Sequence, residues 1–187
     1  MKINMKSPLT YVTAWLGATG LAFGLAVASP SESSVMGRLP EMMSHALGHK
    51  PVTLATDVPS DRTLALITFE RHQRAMADSW VNGMNLDKDT SIAWMRMPVL
   101  TDPGTQTGRI DAGTRLLQRY SSPGDRARLV PVFANRADFV RSAGLNGTDQ
   151  FYAVVVNREG EVLARVEGGF DANKAQILRE TLKAQEL

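Results

Sequence analysis

No cysteine occurs among the 187 residues of this chain. That absence removes thiol–disulfide exchange, thiol peroxidase chemistry, cysteine proteolysis and thiolate metal sites, because each needs a sulfur that can attack or coordinate. It also leaves the fold without disulfides, so a hydrophobic share of 43% has to supply the core by burial alone. Charge of one sign is equally scarce, since 21 Lys and Arg stand against 19 Asp and Glu for a net charge of +2. A field that small does not gather polyanions, and no stretch combines dense Lys and Arg with interleaved aromatics, so nothing points to nucleic acid. A phosphate-binding loop, a dinucleotide fingerprint and a supported Ser-His-Asp set are also missing, and no cofactor is implied. The chain has no internal repeat and no low-complexity tract.

The N-terminus has a different character from the rest. Lys2 and Lys6 precede an uncharged apolar run from Ala14 to Ala28, which closes on Ala26-Val27-Ala28 ahead of Ser29. Basic start, apolar middle and small-x-small end are the signature of a secretory signal peptide, here residues 1–28 with cleavage after Ala28. The run is shorter than the roughly 20 residues a permanent span requires, so no stable membrane span is expected after cleavage. Retention as an anchor is the competing reading.

Residues 29–61 read as a lead-in, with a short helix expected from Pro40 to Leu47, ended by Gly48, and a short strand over Val52–Ala55. The folded domain is expected over 62–187. Thr63 to Phe69 is a nearly continuous apolar run, as in a strand covered on both faces. Glu70 to Gly83 places Ala75, Met76, Trp80 and Met84 at helical spacing, with Gly83 as the stop. A second strand spans Ser91–Leu100 and ends at the turn Thr101-Asp102-Pro103-Gly104. Arg109 to Tyr120 is read as a helix with Ile110, Leu116, Leu117 and Tyr120 inward. Leu129 to Phe133 is a strand whose Pro131 argues for an edge or a bulge. Asn135 caps a short helix closed by Gly144. Phe151–Val156, the turn Asn157-Arg158-Glu159-Gly160 and Glu161–Glu167 form a hairpin. Asp171 then caps a last helix that buries Ile177, Leu178, Leu182 and Leu187. Strands alternating with helices predict an α/β domain around a mixed, mostly parallel sheet, with the hairpin as an antiparallel edge.

This element order resembles that of the thioredoxin-like superfamily in its peroxiredoxin-like variant, a three-layer sandwich. The segment Leu145-Asn-Gly-Thr-Asp-Gln-Phe-Tyr-Ala-Val-Val-Val-Asn-Arg-Glu-Gly-Glu-Val162 followed by Gly168-Gly169 carries the resemblance. Val132-Phe-Ala-Asn135 and Phe139-Val-Arg-Ser-Ala-Gly-Leu145, with the hairpin, are most similar to the mitochondrial ATP synthase assembly-factor family and to exported bacterial proteins of the same layout. In a thioredoxin the redox Cys-x-x-Cys follows the first core strand. Here the resemblance places those positions in Phe69-Glu-Arg-His-Gln-Arg-Ala-Met76, near Gln73 and Met76, and sets Phe151 where the cis-proline would stand. A cis bond before a non-proline residue costs about 2.5–4 kcal/mol, so a trans bond is expected there. The resemblance implies a kept scaffold without its dithiol reaction.

Several clusters carry more than one reading. Glu70, Arg71, His72 and Arg74 at a helix start suit an anion or a proton donor, or simply a solvated first turn. Met42, Met43, His45 and His49, with the two histidines one helical turn apart, suit copper or zinc, or an incidental linker composition. Trp94, Met95 and Met97 with Trp80 and Met84 suit a partner groove or a packed core. Asp57, Asp61, Asp102 and Asp111 occupy turn and cap positions, which account for them without acid–base work. Asn146-Gly147-Thr148 is a glycosylation sequon. The leading functional expectation is a non-catalytic exported protein that binds a protein partner, at a membrane complex if the assembly-factor resemblance holds. Metal binding or delivery, and an enzyme working through Arg71 and His72, are the alternatives.

Overall fold

The computed structural model describes residues 35–40 and 60–184, and the backbone of 43–45 and 51–53. The signal-peptide reading of residues 1–28, together with Met42, His49, Asp57 and Leu187, lies outside them. Among the described residues no helix is long and apolar enough to cross a membrane.

The centre of the fold is β4 (Arg62–Thr68), whose five inner residues are all buried. Because alternate strand residues point to opposite faces, Leu64 and Leu66 enter one apolar cluster while Ala65 and Ile67 enter another. That two-sided burial explains the uninterrupted apolar run. On one side lie α1 (Arg74–Met84), through Ala77, Trp80, Val81 and Met84, and α5 (Ala172–Lys183), through Ala175 and Leu178. On the other lies α4 (Arg136–Ser142), which buries Phe139. Three layers result. A third, smaller cluster of Leu116, Tyr120 and Leu129 sits under α2 (Gln106–Leu117), next to the short α3 (Pro123–Ala127).

Six strands form the main sheet. With β1 (Gly37–Arg38), β5 (Trp94–Thr101), β6 (Val132–Ala134), β7 (Tyr152–Asn157) and β8 (Glu161–Glu167), the order is β1-β8-β7-β4-β5-β6. Only β4–β5 and β5–β6 are parallel, whereas β1–β8, β7–β8 and β4–β7 are antiparallel. The sheet is therefore mixed but not mostly parallel. The hairpin is antiparallel as expected, with β7 paired directly with β4 and the two-residue β1 added outside β8 at Glu161 and Val162. Residues ahead of Arg62, from the stretch expected as a lead-in, thus contribute a strand and the buried Leu39. β6 does lie at an edge, as Pro131 beside it requires.

Other expectations are corrected. The helix read over Pro40–Leu47 is absent: Met43–His45 is a strand, β2, paired antiparallel with β3 (Pro51–Thr53). α1 does not stop at Gly83 but runs to Met84 and ends at Asn85, whose φ of 58° is the left-handed cap conformation. Gly83 instead makes room for a neighbour, since a Cβ there would sit 2.4 Å from the Phe170 ring. Ile110 and Ile177 are exposed, not inward. On α5 the inward stripe is Ala175, Leu178 and Leu182, and Ile177 is rotated off it. On α2 no residue before Gly113 is buried, so the half that holds Ile110 has no core to face.

A buried cation ties two layers together. Arg96 on β5 is 5% exposed; its Nε donates to Asp125 on α3 at 3.1 Å, and its Nη1 lies 2.8 Å from Asp78 on α1 without the alignment of a hydrogen bond. Trp94 and Tyr120 present ring faces to the same guanidinium at 5.6 and 5.8 Å. Removing either carboxylate would leave part of this buried guanidinium unmatched in low dielectric.

β1 crosses the end of α4 at very short range. A Cβ on Gly144 (φ +65°) would stand 2.1 Å from the Met36 carbonyl oxygen, and one on Gly37 would stand 2.4 Å from the Ala143 carbonyl carbon. Gly144→Ala is expected to cost about 3 kcal/mol in urea unfolding, from a strained φ plus a backbone clash. Gly104→Ala has a φ of +75° but open space around the new Cβ. It should cost only about 1 kcal/mol. The same edge is sensitive to acid. Glu161 receives hydrogen bonds from Arg38 and Asn157, which hold its carboxyl below the usual range. The stability it contributes is present above the unfolded pKa and is lost as pH falls through the depressed folded value. The protection of the Met36 and Leu39 amides, which donate to β8 and its turn, measured relative to their intrinsic exchange rates, is expected to fall below about pH 4, and Glu161→Gln should remove that loss.

Candidate functional site

The turn from β4 into α1 is built on one buried amide. Gln73 is fully buried; its Oε1 accepts the backbone N–H of Phe69 at 2.7 Å and of Glu70 at 3.2 Å, and its Nε2 donates to the Thr148 carbonyl at 2.7 Å. One side chain therefore satisfies both ends of the turn and the loop that precedes β7. The same loop is held from below by Tyr152, whose hydroxyl accepts from Asn146 N–H and donates to the Gly147 carbonyl. Burial pushes the Tyr152 phenol above its ordinary pKa. Phe151 follows on a trans peptide and is fully buried beneath α1 and α5. Gln73 and Phe151 are thus structural members of the core, and Met76 is half-buried against the α1 side.

Arg136, the first residue of α4, pins this turn from the other side. Its Nη1 meets Glu70 at 2.7 Å and its Nη2 donates to the Phe69 carbonyl at 2.7 Å. Its Nε is buried without an acceptor. Asn135 sets the geometry by capping α4 through Ala137 N–H and Asp138 N–H. The sequence marked Asn135 as a cap but gave no signal for Arg136, whose partners lie 66 and 67 positions away.

Beside the turn opens a groove of about 560 Å³. Its apolar floor comes from Phe69, Pro98, Leu100 and Leu116, and its rim from Glu70, Arg71, Arg74, Arg119, Tyr120 and Arg136. Arg74 is fixed across it, with its guanidinium 4.2 Å over the Tyr120 ring and Nη1 donating to the Arg119 carbonyl. Burial raises the Tyr120 pKa above its ordinary value. His72 is exposed and makes no side-chain hydrogen bond or ion pair among the described residues. The expected cluster Glu70, Arg71, His72 and Arg74 is therefore brought together only in part, since His72 does not line the groove. Pro98, Leu100, Leu116, Arg119 and Tyr120 join it through the ends of β5 and α2.

The remaining candidates fall elsewhere. Trp80, Met84, Trp94, Met95 and Met97 are all core residues, and Trp94 donates its indole N–H to the Leu86 carbonyl. Asp102 accepts from Arg109 and from Gly104 N–H, which lower its pKa. Asp61 pairs with Arg158, and Asp111 is exposed. His45 lies on β2, so the helical spacing to His49 on which a metal site was read does not exist on that element. Among the described residues no group of three or more His, Asp or Glu is placed to hold a metal ion. Asn146 of the sequon is exposed and donates to Glu167.

Replacement of Gln73 by Ala would leave the buried Phe69 N–H and the Thr148 carbonyl without their partner. A loss of about 2–4 kcal/mol in denaturant unfolding is expected, with faster amide exchange at Phe69 and Glu70. Gln73→Glu keeps the shape but buries a carboxylate and loses the donor to Thr148, so its loss should grow as pH rises above about 5.

No family model and no curated protein sequence matches the chain. Solved structures do. A proposed electron transfer protein from Aquifex aeolicus VF5 superposes with a TM-score of 0.51 at 12% identity, over 78% of this chain and 95% of that one. The pneumococcal exposed lipoprotein thioredoxin Etrx1 from Streptococcus pneumoniae strain TIGR4 gives 0.47 at 15% identity, over 76% and 96%. A thiol:disulfide interchange protein from Bacteroides sp. gives 0.48 at 17% identity, over 78% and 87%. The arrangement around β4 and the β7–β8 hairpin is accordingly a fold shared with the Aquifex aeolicus protein, here in a chain without a cysteine.

Proposed function

We propose that the chain is an exported, non-redox thioredoxin-like protein that binds a partner protein beside the β4–α1 turn and serves as an assembly or maturation factor at a membrane. One observation carries the reading. Gln73, near which the resemblance to thioredoxins sets a redox cysteine, has its carbonyl and amide groups both committed to backbone partners. It therefore offers neither a nucleophile nor a free polar group. A scaffold whose reactive position has become a structural brace still displays the adjacent surface, here a groove with an apolar floor and an unspent cationic rim. Large grooves of this composition serve binding rather than bond-breaking when no titratable pair converges in them. Export is supported by the basic-apolar-small order of residues 1–28. The membrane setting is supported by the similarity of Val132–Leu145 and the hairpin to the ATP synthase assembly-factor family.

Site-specific photocrosslinking in the native host tests this. A photoreactive side chain at Arg71 or Arg119 is expected to capture one discrete protein in the membrane fraction, whereas one at Arg141, exposed on α4, should not. Equal capture from all three positions, or none from the first two, would reject the reading.

A further inference from the structure

The groove holds more positive charge than its own carboxylate neutralises. Of the four rim arginines, Arg136 is matched by Glu70 at 2.7 Å, and Arg74 has Asp78 only at 3.9 Å. Arg71 and Arg119 are exposed and have no acidic partner among the described residues. They approach from different elements, the turn after β4 and the end of α2, so the rim carries two cations of separate origin. Between them Arg74 is already ordered by its stack on Tyr120 and its bond to the Arg119 carbonyl. Below lies an apolar floor that includes Leu100 and Leu116.

Resting on the reading of this groove as the partner surface, we propose that its occupant is an acidic peptide segment carrying an apolar residue. The two guanidiniums suit successive carboxylates, which arginine pairs with through its planar fork. The floor suits the apolar side chain between them, whose burial would supply the non-electrostatic part of the affinity. A small inorganic anion would leave that floor uncovered. A basic or purely apolar segment would leave Arg71 and Arg119 facing either like charge or nothing.

The test selects binders of the full-length protein from a random peptide library, and then measures synthetic, fluorescein-labelled versions by polarisation and by backbone amide shifts. Enriched sequences are expected to place two or more Asp or Glu around a large apolar residue. Their resonance changes should fall on Phe69–Arg74 and Leu116–Tyr120. Arg71→Glu with Arg119→Glu should weaken binding about tenfold or more, Arg141→Glu should not, and added salt should weaken it as for partly screened charges. Enriched peptides that shift the same amides yet lack acidic residues would overturn this inference and leave the partner surface standing. Peptides that shift amides elsewhere would overturn both. Failure to enrich any peptide, or equal binding of citrate or phosphate to the groove, overturns the acidic-peptide assignment.

Discussion

The brace made by Gln73 is the constraint on which the rest of this surface depends. A strand that ends in the middle of a sheet must release its last N–H groups, and the helix that follows must find partners for its first ones. Here one primary amide meets the N–H of Phe69 and Glu70, and the opposite end of the same group reaches the loop ahead of β7. The distance between β4 and that loop is thereby set by the length of a glutamine. Arg136 repeats the arrangement from α4, with the Phe69 carbonyl and the Glu70 carboxylate as its partners. Two long side chains, each with several hydrogen-bonding atoms, hold the β4–α1 turn as a fixed wall of the groove.

Polar groups inside the fold are used in the same way elsewhere. Arg96 brings α1 and α3 onto β5 through Asp78 and Asp125. Such a set adds little net stability over an apolar replacement, because the buried guanidinium loses its hydration. What it does provide is direction, since α3 is too short to dock by an apolar face and buries no residue of its own. The cationic rim of the groove is partly a consequence. Tyr120 is held by stacking on Arg74 from one side and lies near Arg96 on the other, so the same ring connects the core cation to the surface one.

The legible part of this architecture was the part encoded over short range. The alternation in Glu161–Glu167, the turn at Gly160 with its φ of +76°, and the caps Asn135 and Asp171 all involve neighbours within a few positions. Position along an amphipathic stripe was read less well, because a single 100° step separates the buried Leu178 from the exposed Ile177. The segment ahead of β4 was misread for another reason: Met43–His45 takes its partner in β3 and β1 takes its partner in β8, and both pairings override local preference. α3 carried a start signal in Ser122-Pro123, a cap followed by proline in the first turn. In the groove, Arg71 and Arg74 were visible as a cluster, whereas Arg119, Tyr120 and Arg136 were not. They reach it from the end of α2 and the start of α4, and nothing in their own neighbourhoods foretells that meeting.

The two ends of the sheet bear on how this protein avoids its own kind. One lateral boundary is the three-residue β6, next to Pro131; the other is the two-residue β1, laid along β8 and locked against Gly144. Seven-residue β8 would otherwise offer a long row of unsatisfied peptide groups to any passing chain. The small segment at residues 37–38 works as a short selvedge: it closes the woven margin only at Glu161 and Val162, and a fragment starting at β4 would lose that closure too.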